Sequence, residues 1–215
     1  MIFRGLLSVN NLCHLLYTMK FVIEHLEPEL YDWCVIEYEH ISKIGGKDNL
    51  IFTNIKNKKE QSKLRKYGRV YDKSISELKL NMPEPKNICI LSQYSEKTLK
   101  TSDKNKFEYL IFGGILGGNP ARKRTIELEK KLEKAGLQFE TRNLGKRQMP
   151  TDTAVYVAKK ILEGKELEDF KFVDELEIEI NENESVNLNF RFAVDDDKPV
   201  INEKLVDYLR KKDEF

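Results

Sequence analysis

Short apolar runs alternate with longer stretches of helical periodicity from residue 19 onward. Apolar positions recur every three or four residues in the segments 30–44, 121–135 and 154–162, which predicts amphipathic helices. The intervening runs predict strands because they are short and largely apolar: KFVIEH, NLIFTNI, NICIL, YLIF and LQFETRN. Strands that are apolar on both faces and alternate with helices are typical of an α/β fold. We therefore predict a parallel sheet with helices on both faces.

The pattern changes after Gly164. The runs ELEIEIN and VNLNFRF alternate apolar and polar residues with period two, which predicts an antiparallel hairpin with one solvated face. Residues 202–212 are expected to close the chain as a helix. The segment 56–73 carries eight Lys or Arg against two acids, and we expect a short helix and a loop there.

Residues 1–18 form a moderately apolar segment that polar residues such as Arg4 and His14 interrupt. This segment is too polar for a membrane span and lacks the layout of a signal peptide. Met19 then opens MKFVIEHLEP, which is typical of a protein start. We expect residues 1–18 to be an N-terminal extension, either an artefact of start-site assignment or an extra helix, ahead of a single domain at 19–215.

The composition of the 215 residues narrows the functional classes. A hydrophobic fraction of 40%, a charged fraction of 34% and a mean hydropathy of −0.55 predict a soluble domain with no membrane partner. A net charge of +1 argues against a protein that holds nucleic acid by bulk charge. The three cysteines, Cys13, Cys34 and Cys89, are widely spaced and predict neither a disulfide framework nor a zinc site, in keeping with a cytoplasmic protein.

Four glycines within six positions, GGILGG at 113–118, follow the apolar run YLIF. Glycine allows close approach to the backbone, and ligands of parallel sheets bind at the carboxyl ends of strands. The motif is neither GxGxxG nor GxxxxGK[ST], which disfavours a dinucleotide or P-loop site. A turn without a ligand is the alternative.

Asn119 and Pro120 predict an N-cap and a first helical residue just after these glycines. The predicted helix then begins with Arg122, Lys123 and Arg124. Cations in a first turn oppose the helix dipole. We therefore expect Arg122 and Arg124 to bind an anionic group of a substrate, with a chance arrangement as the alternative.

A second strand-to-helix junction passes through Gly145. Thr151 or Thr153 is expected to cap the helix, and Asp152 lies in its first turn, where either capping or ligand contact would explain it. Glu37 falls on the apolar face of its helix, where a carboxylate is costly unless paired. Either a buried salt bridge or a substrate-binding carboxylate would explain it.

Several motifs together resemble one group of SPOUT methyltransferases, the group that includes a ribosomal-protein arginine methyltransferase. The resemblance spans about residues 19–212. The motifs are IEH at 23–25, the helix with Trp33 and Glu37-Tyr38, FGGILG at 112–117, R-x-R-T at 122–125 and LG-x-x-QM-x-TDTA at 144–154. Two positions depart from the group: the segment SQYSEKT at 92–98 and the pair Gly118-Asn119.

The resemblance implies a deep trefoil knot in the C-terminal half of the sheet and S-adenosylmethionine bound against the loops that form it. It assigns cofactor contacts to Gly113, Gly114, Ile115, Leu116, Gly117, Leu144, Gly145, Gln148, Met149, Thr151 and Thr153. It also favours a monomer over a homodimer.

An arginine acceptor requires a carboxylate that binds the guanidinium group. We expect Glu24 or Asp152 in this role, ahead of Glu37, because both lie at predicted loop-facing ends. His25 is either a structural residue or a base. The segment 163–184 has ten acids against two lysines and would attract a basic ribosomal protein, although a solvated acidic face is the alternative.

Two other functions stay open from the sequence. If the acceptor is ribosomal or transfer RNA, the basic segments 56–73 and 120–147 would contact phosphates. A protein without catalysis that only binds during ribosome assembly is the third hypothesis.

Overall fold

The structure is a computed structural model that describes residues 19–78, 87–116 and 123–211. Residues 1–18, and with them the predicted extension, lie outside the described residues. A six-stranded sheet forms the centre, in the order β3-β2-β1-β5-β4-β6, and every neighbouring pair is parallel. Its strands are β1 (Lys20–His25), β2 (Leu50–Thr53), β3 (Arg69–Val70), β4 (Ile88–Leu91), β5 (Tyr109–Gly114) and β6 (Glu140–Arg142).

Helices cover both faces of this sheet, as the sequence pattern predicts. The helices are α1 (Asp32–Gly45), α2 (Lys58–Leu64), α3 (Arg124–Lys134), α4 (Thr151–Leu162) and α5 (Glu203–Arg210). Successive strand residues point to opposite faces. Thus Ile23 packs in the core beneath α1 and α4, whereas Val22 packs in the core beneath α3.

The C-terminal part of the chain forms a small antiparallel module. Its strands are β7 (Lys171–Val173), β8 (Leu176–Asn181), β9 (Glu184–Leu188), β10 (Phe192–Asp195) and β11 (Lys198–Pro199). The predicted hairpin is confirmed as β8-β9, whose apolar face packs against α5 and the first half of α1. The run VNLNFRF is not one strand, however, because β9 ends at Leu188 and Phe192 begins a strand that pairs with β7 and β11.

The basic segment 56–73 contains the predicted short helix, α2, but the predicted loop is wrong in part, because this segment also contains β3, which pairs with β2 at the outer edge of the sheet. Helix α3 begins at Arg124, and its N-cap is Lys123 in the left-handed conformation. The predicted cap Asn119 lies outside the described residues, as do Pro120 and Arg122.

The chain that leaves β6 is hydrogen-bonded to the segment 95–99. The Asn143 backbone N–H donates to the Lys97 carbonyl at 2.8 Å, and Leu99 N–H donates to the Asn143 carbonyl at 3.0 Å. These bonds bring the loop after β4 against the loop after β6, next to the carboxyl end of the sheet. The trefoil knot stays a prediction. Among the described helices, none has the length and apolarity to cross a membrane.

Candidate functional site

A cleft opens at the carboxyl ends of β4, β5 and β6. About 860 Å³ of space lies between its walls, part of which is open to solvent. The loops after the three strands form its walls together with the first turns of α3 and α4. Seven of the predicted cofactor residues line it: Gly113, Ile115, Leu144, Gly145, Gln148, Met149 and Thr151.

Two buried polar atoms in the cleft lack a partner among the described residues. They are Ser92 Oγ and Arg124 Nε, and both residues line the cleft. Buried polar atoms in proteins are normally hydrogen-bonded, so unpaired ones at a cleft fit a ligand that carries polar groups. The loop after β4 therefore lines the cleft, where the resemblance also places it, although no residue of this loop is among the predicted cofactor contacts. It also contributes Gln93 and Tyr94.

Arg124 is engaged by an internal ion pair. Its Nη1 lies 2.7 Å from Glu27 Oε1, and its Nη2 donates to the Leu116 carbonyl at 2.9 Å. The Leu116 backbone N–H donates to the same Glu27 oxygen. The expectation that Arg124 pairs with a substrate anion is therefore not supported, because Glu27 already matches its charge. Arg124 instead ties the chain after β5 to α3.

Three other predicted cofactor residues lie elsewhere. The Gly114 Cα faces the core, where an added Cβ would lie 2.2 Å from Tyr38 Oη. Thr153 is fully buried and donates to the Val200 carbonyl, so its side chain points away from the cleft. Leu116 lines a second cavity instead. Gly117 lies outside the described residues.

This second cavity adjoins the cleft and encloses about 710 Å³. Ile115 and Met149 belong to the walls of both. Two carboxylates, Glu37 from α1 and Asp152 from α4, face the second cavity. The rest of the wall is largely apolar and comes from α1, the loops and the C-terminal module: Trp33, Leu116, Pro150, Phe190, Phe192, Ile201 and Leu205.

The two carboxylates are among the most buried acids of the described chain. Glu37 is 5% exposed and Asp152 is 2% exposed. Burial, and then the charge of Asp152, raises the pKa of Glu37 well above its usual range, and a hydrogen bond from Trp33 only partly opposes this. Asp152 Oδ1 accepts the Thr153 backbone N–H at 2.7 Å, and Oδ2 lies 2.7 Å from His40 Nδ1.

The second cavity is suited to a cation. Two acidic side chains in an apolar enclosure are costly without a positive partner. A planar group with several N–H donors, such as a guanidinium, satisfies two carboxylates better than a compact ammonium does. The second cavity is therefore called the acceptor cavity below.

Glu24 and His25 do not line either cavity. Glu24 accepts hydrogen bonds from Thr53 Oγ1, Ser74 Oγ and the Ile75 backbone N–H, which anchor the 74–76 loop. The prediction of Glu24 as a carboxylate that binds the arginine is therefore not supported, since its oxygens already accept hydrogen bonds within the fold. The structure pairs Asp152 with Glu37 instead.

His25 is a structural residue in this fold. Its Nε2–H donates to the Glu29 carbonyl at 3.2 Å, so its Nδ1 accepts the Tyr38 hydroxyl at 2.8 Å. Burial lowers the pKa of His25, which favours this neutral form. The alternative of a catalytic base is not supported.

The raised pKa of Glu37 predicts a pH-dependent stability. Unfolded, this side chain ionises near pH 4.3, whereas the folded protein holds the proton to higher pH. Its stabilising contribution is present below the unfolded pKa and is lost as pH rises towards the folded pKa. In denaturant titrations, the stability of Glu37→Gln relative to the wild type should therefore rise between pH 4 and pH 8.

Glu39 on the same helix is the control of opposite sign. A hydrogen bond from Lys204 is the main cause that lowers its pKa, to about 2. The ionised Glu39 side chain stabilises the fold above its unfolded pKa, and this stabilisation is lost as pH falls. Glu39→Gln should therefore be less stable than the wild type at pH 8. If the difference in unfolding free energy between Glu37→Gln and the wild type stays constant with pH, Glu37 is not buried in its protonated form.

Comparisons with known proteins point to arginine methylation. The sequence model of the family described as protein arginine N-methyltransferase SFM1-like matches residues 20–214. The chain is 33% identical over 205 residues to protein arginine N-methyltransferase SFM1 of Saccharomyces cerevisiae, covering 90% of this chain and 95% of that protein. The crystal structure of yeast SFM1 complexed with SAM is 32% identical with a TM-score of 0.81, covering 90% of this chain and 91% of that one.

A more distant structure shares the fold. The crystal structure of dual-specific Trm10 from Thermococcus kodakaraensis is 20% identical with a TM-score of 0.56, over 70% of this chain and 96% of that one. This similarity confirms the α/β architecture that the sequence pattern predicts.

Proposed function

Because the chain belongs to the SFM1-like family of protein arginine N-methyltransferases, we propose that it methylates an arginine of a basic ribosomal protein. The enzyme is a methyltransferase that depends on S-adenosylmethionine. The observation that carries the proposal is the acceptor cavity, in which Glu37 and Asp152 lie beside the cleft.

The cleft fits S-adenosylmethionine. Ser92 Oγ and Arg124 Nε are unpaired polar atoms that a ligand with hydroxyl, amino and carboxylate groups would satisfy. The backbone around Gly145, Gln148 and Met149 would hold the cofactor, since these residues line the cleft on the loop after β6. When bound, S-adenosylmethionine supplies a methyl group carried on a sulfonium.

Asp152 and Glu37 bind and orient the acceptor in this mechanism. Their oxygens accept N–H groups of the guanidinium, and the aromatic walls exclude water. The cavities adjoin at Ile115 and Met149, so an acceptor held by the two acids lies next to the cleft.

Glu37 is the proton acceptor in this mechanism. Methylation forms an N–C bond with a nitrogen electron pair, leaves the electrons of the S–C bond on sulfur and releases one proton from that nitrogen. Burial and the charge of Asp152 raise the pKa of Glu37 in the free enzyme. The positive charge of a bound guanidinium opposes both effects and favours the ionised Glu37. The carboxylate that takes the proton is thus generated when the acceptor binds.

A basic protein partner is supported by the charge of the C-terminal module. The solvent-facing residues of the β8-β9 hairpin include the exposed acids Glu177, Glu179 and Glu184. The same hairpin leads to Phe190, which lines the acceptor cavity. This acidic face would steer a basic polypeptide towards the cavity.

The basic segment 56–73 does not support an RNA acceptor. The basic segment 56–73 belongs to α2 and β3, and strands β2 and β1 separate β3 from β5 and the cleft. Phosphate contacts on that segment would therefore lie far along the sheet from Glu37 and Asp152.

The experiment that tests the function is transfer of a labelled methyl group from S-adenosylmethionine by the full chain. The acceptors are ribosomal proteins, total RNA, and two basic peptides that differ only by Arg or Lys at one position. Label in a ribosomal protein and in the Arg peptide alone would support the proposal. Label in RNA alone would overturn it, and binding of S-adenosylmethionine without transfer would favour a protein that only binds.

We also propose that the enzyme is a cytoplasmic monomer. One chain supplies the walls of both cavities, so the site is complete without a partner subunit. Cys34 and Cys89 are buried free thiols, which suits a reducing compartment.

A glycine substitution in the cleft tests the cofactor site. Gly145 has a φ of +99°, so Gly145→Ala strains the loop after β6, and we expect the affinity for S-adenosylmethionine to fall at least about 10-fold in calorimetry. The matched control is Gly136→Ala, which has a φ of +79° but lies outside the cleft. Both variants should lose about 1 kcal/mol of stability. If both bind S-adenosylmethionine with equal affinity, the result would argue against this cofactor site.

A further inference from the structure

His40 is a titratable residue that contacts Asp152 of the acceptor cavity, and the mechanism above does not use it. It lies on α1 one turn after Glu37, and its Nδ1 contacts Asp152 Oδ2 of α4 at 2.7 Å. The His40 side chain is 17% exposed, whereas that of Asp152 is 2% exposed. His40 therefore lies partly at the surface, while its partner Asp152 is a buried carboxylate that lines the acceptor cavity.

The surroundings of Asp152 determine which atom holds the shared proton. Asp152 lies in the first turn of α4, where the helix dipole favours an anion. Its Oδ1 accepts the Thr153 N–H, and such a bond favours the charged form. Asp152 is therefore the carboxylate, and His40 donates through Nδ1–H whether its ring is neutral or protonated.

We propose that His40 is a positioning residue for methyl transfer: its Nδ1–H holds the Asp152 carboxylate in the orientation that receives the guanidinium. This inference rests on the proposed function. Each oxygen of Asp152 accepts one hydrogen bond from the protein: Oδ1 from the Thr153 N–H and Oδ2 from His40. A second lone pair on each oxygen remains for the guanidinium. Two fixed donors on opposite oxygens restrict rotation of the carboxylate.

Loss of the His40 donor would leave Asp152 Oδ2 as a buried acceptor without its partner from the protein. The carboxylate would then rotate more freely and bind the guanidinium less tightly. The cleft would keep its affinity for S-adenosylmethionine, because His40 and Asp152 do not line it.

The test compares His40→Ala with His40→Asn in the full chain. Asparagine retains an N–H donor near the position of Nδ1, whereas alanine removes it. For the Arg peptide, we expect His40→Ala to lower kcat/KM by about 10- to 100-fold, the cost of a hydrogen bond to a charged group. We expect His40→Asn to restore kcat/KM to within about 3-fold of the wild type, and both variants to bind S-adenosylmethionine as the wild type does.

The outcomes separate this inference from the proposed function. A wild type that methylates no arginine acceptor overturns both. A wild type that is active, with His40→Ala equally active, overturns the role of His40 alone. If both His40 variants lose kcat/KM equally, His40 has a structural role and the inference is overturned. The same holds if the loss of kcat/KM comes with a lower affinity for S-adenosylmethionine and a lower unfolding midpoint.

Discussion

Asp152→Asn is expected to lower kcat/KM for the arginine acceptor by about 10³-fold, or about 4 kcal/mol of transition-state stabilisation. Asp152 is the charged member of the carboxylate pair, and asparagine removes that charge while it keeps the shape of the side chain. The guanidinium would then enter an apolar cavity with one protonated acid and no preformed negative partner. Burying an unmatched charge in this way costs several kcal/mol.

The affinity for S-adenosylmethionine distinguishes this loss from unfolding. Asp152 lines the acceptor cavity and not the cleft, so calorimetry should give the wild-type dissociation constant. The matched control is Asp32→Asn, which changes an aspartate in the first turn of α1 that is exposed to solvent. Activity of Asp152→Asn within a few-fold of the Asp32→Asn control would exclude the acceptor cavity as the arginine site.

Gly114→Ala is expected to destabilise the fold by about 3 kcal/mol or more, as strong overpacking does. An added Cβ would lie 2.2 Å from Tyr38 Oη and 3.0 Å from Ile23 Cγ2. Tyr38 is 1% exposed and its hydroxyl donates to His25, so it has no free space into which to move. Urea titration of the variant should give a clearly lower midpoint.

A double-mutant cycle identifies the hydroxyl as the cause. Tyr38→Phe alone should cost about 1–2 kcal/mol, because it leaves the His25 acceptor unpaired. In the double variant, Tyr38→Phe removes the atom nearest to the new methyl group of Gly114→Ala. The double variant should therefore lose less stability than the sum of the two single losses. Additive effects would indicate that the contact with Tyr38 is unimportant.

Gly113→Ala provides the contrast from the adjacent position. Its added Cβ would meet Ile115 Cδ1 at 2.9 Å, the end of a flexible side chain in the wall of the cleft. We expect a smaller loss of stability than for Gly114→Ala. The two adjacent glycines therefore serve different purposes, one at the cleft and one against Tyr38.

The position of the cleft was predictable because it follows from local pattern. Parallel strands place their carboxyl ends at one edge, so the glycine turn after β5 and the turn through Gly145 had to lie near each other. The hydrophobic pattern located β1 at 20–25, where the structure has it. The loop after β4 is expected at the cleft only from the resemblance, since no local pattern identifies Ser92 within its polar sequence.

The choice among the acids was not predictable. Glu24 and Asp152 both stand next to predicted loops, but Glu24 points to the side of the sheet on which the 74–76 loop covers it. Glu37 follows them in the prediction because it lies on the apolar face of a helix and not at a loop-facing end. The charge that acts on it in the structure is that of another acid, Asp152, because α1 packs against α4.

The sequence by itself determined the helices and most strands of the parallel sheet, the chemistry of the two glycine turns and the family to which the chain belongs. These follow from the period of apolar positions and from residue types within short segments. Tertiary structure alone decided that Glu37, Asp152 and His40 meet, and that the C-terminal module supplies Phe190 and Phe192 to the same cavity. Such contacts join residues more than 100 positions apart, and the energy of a buried charge depends on what those distant segments place beside it.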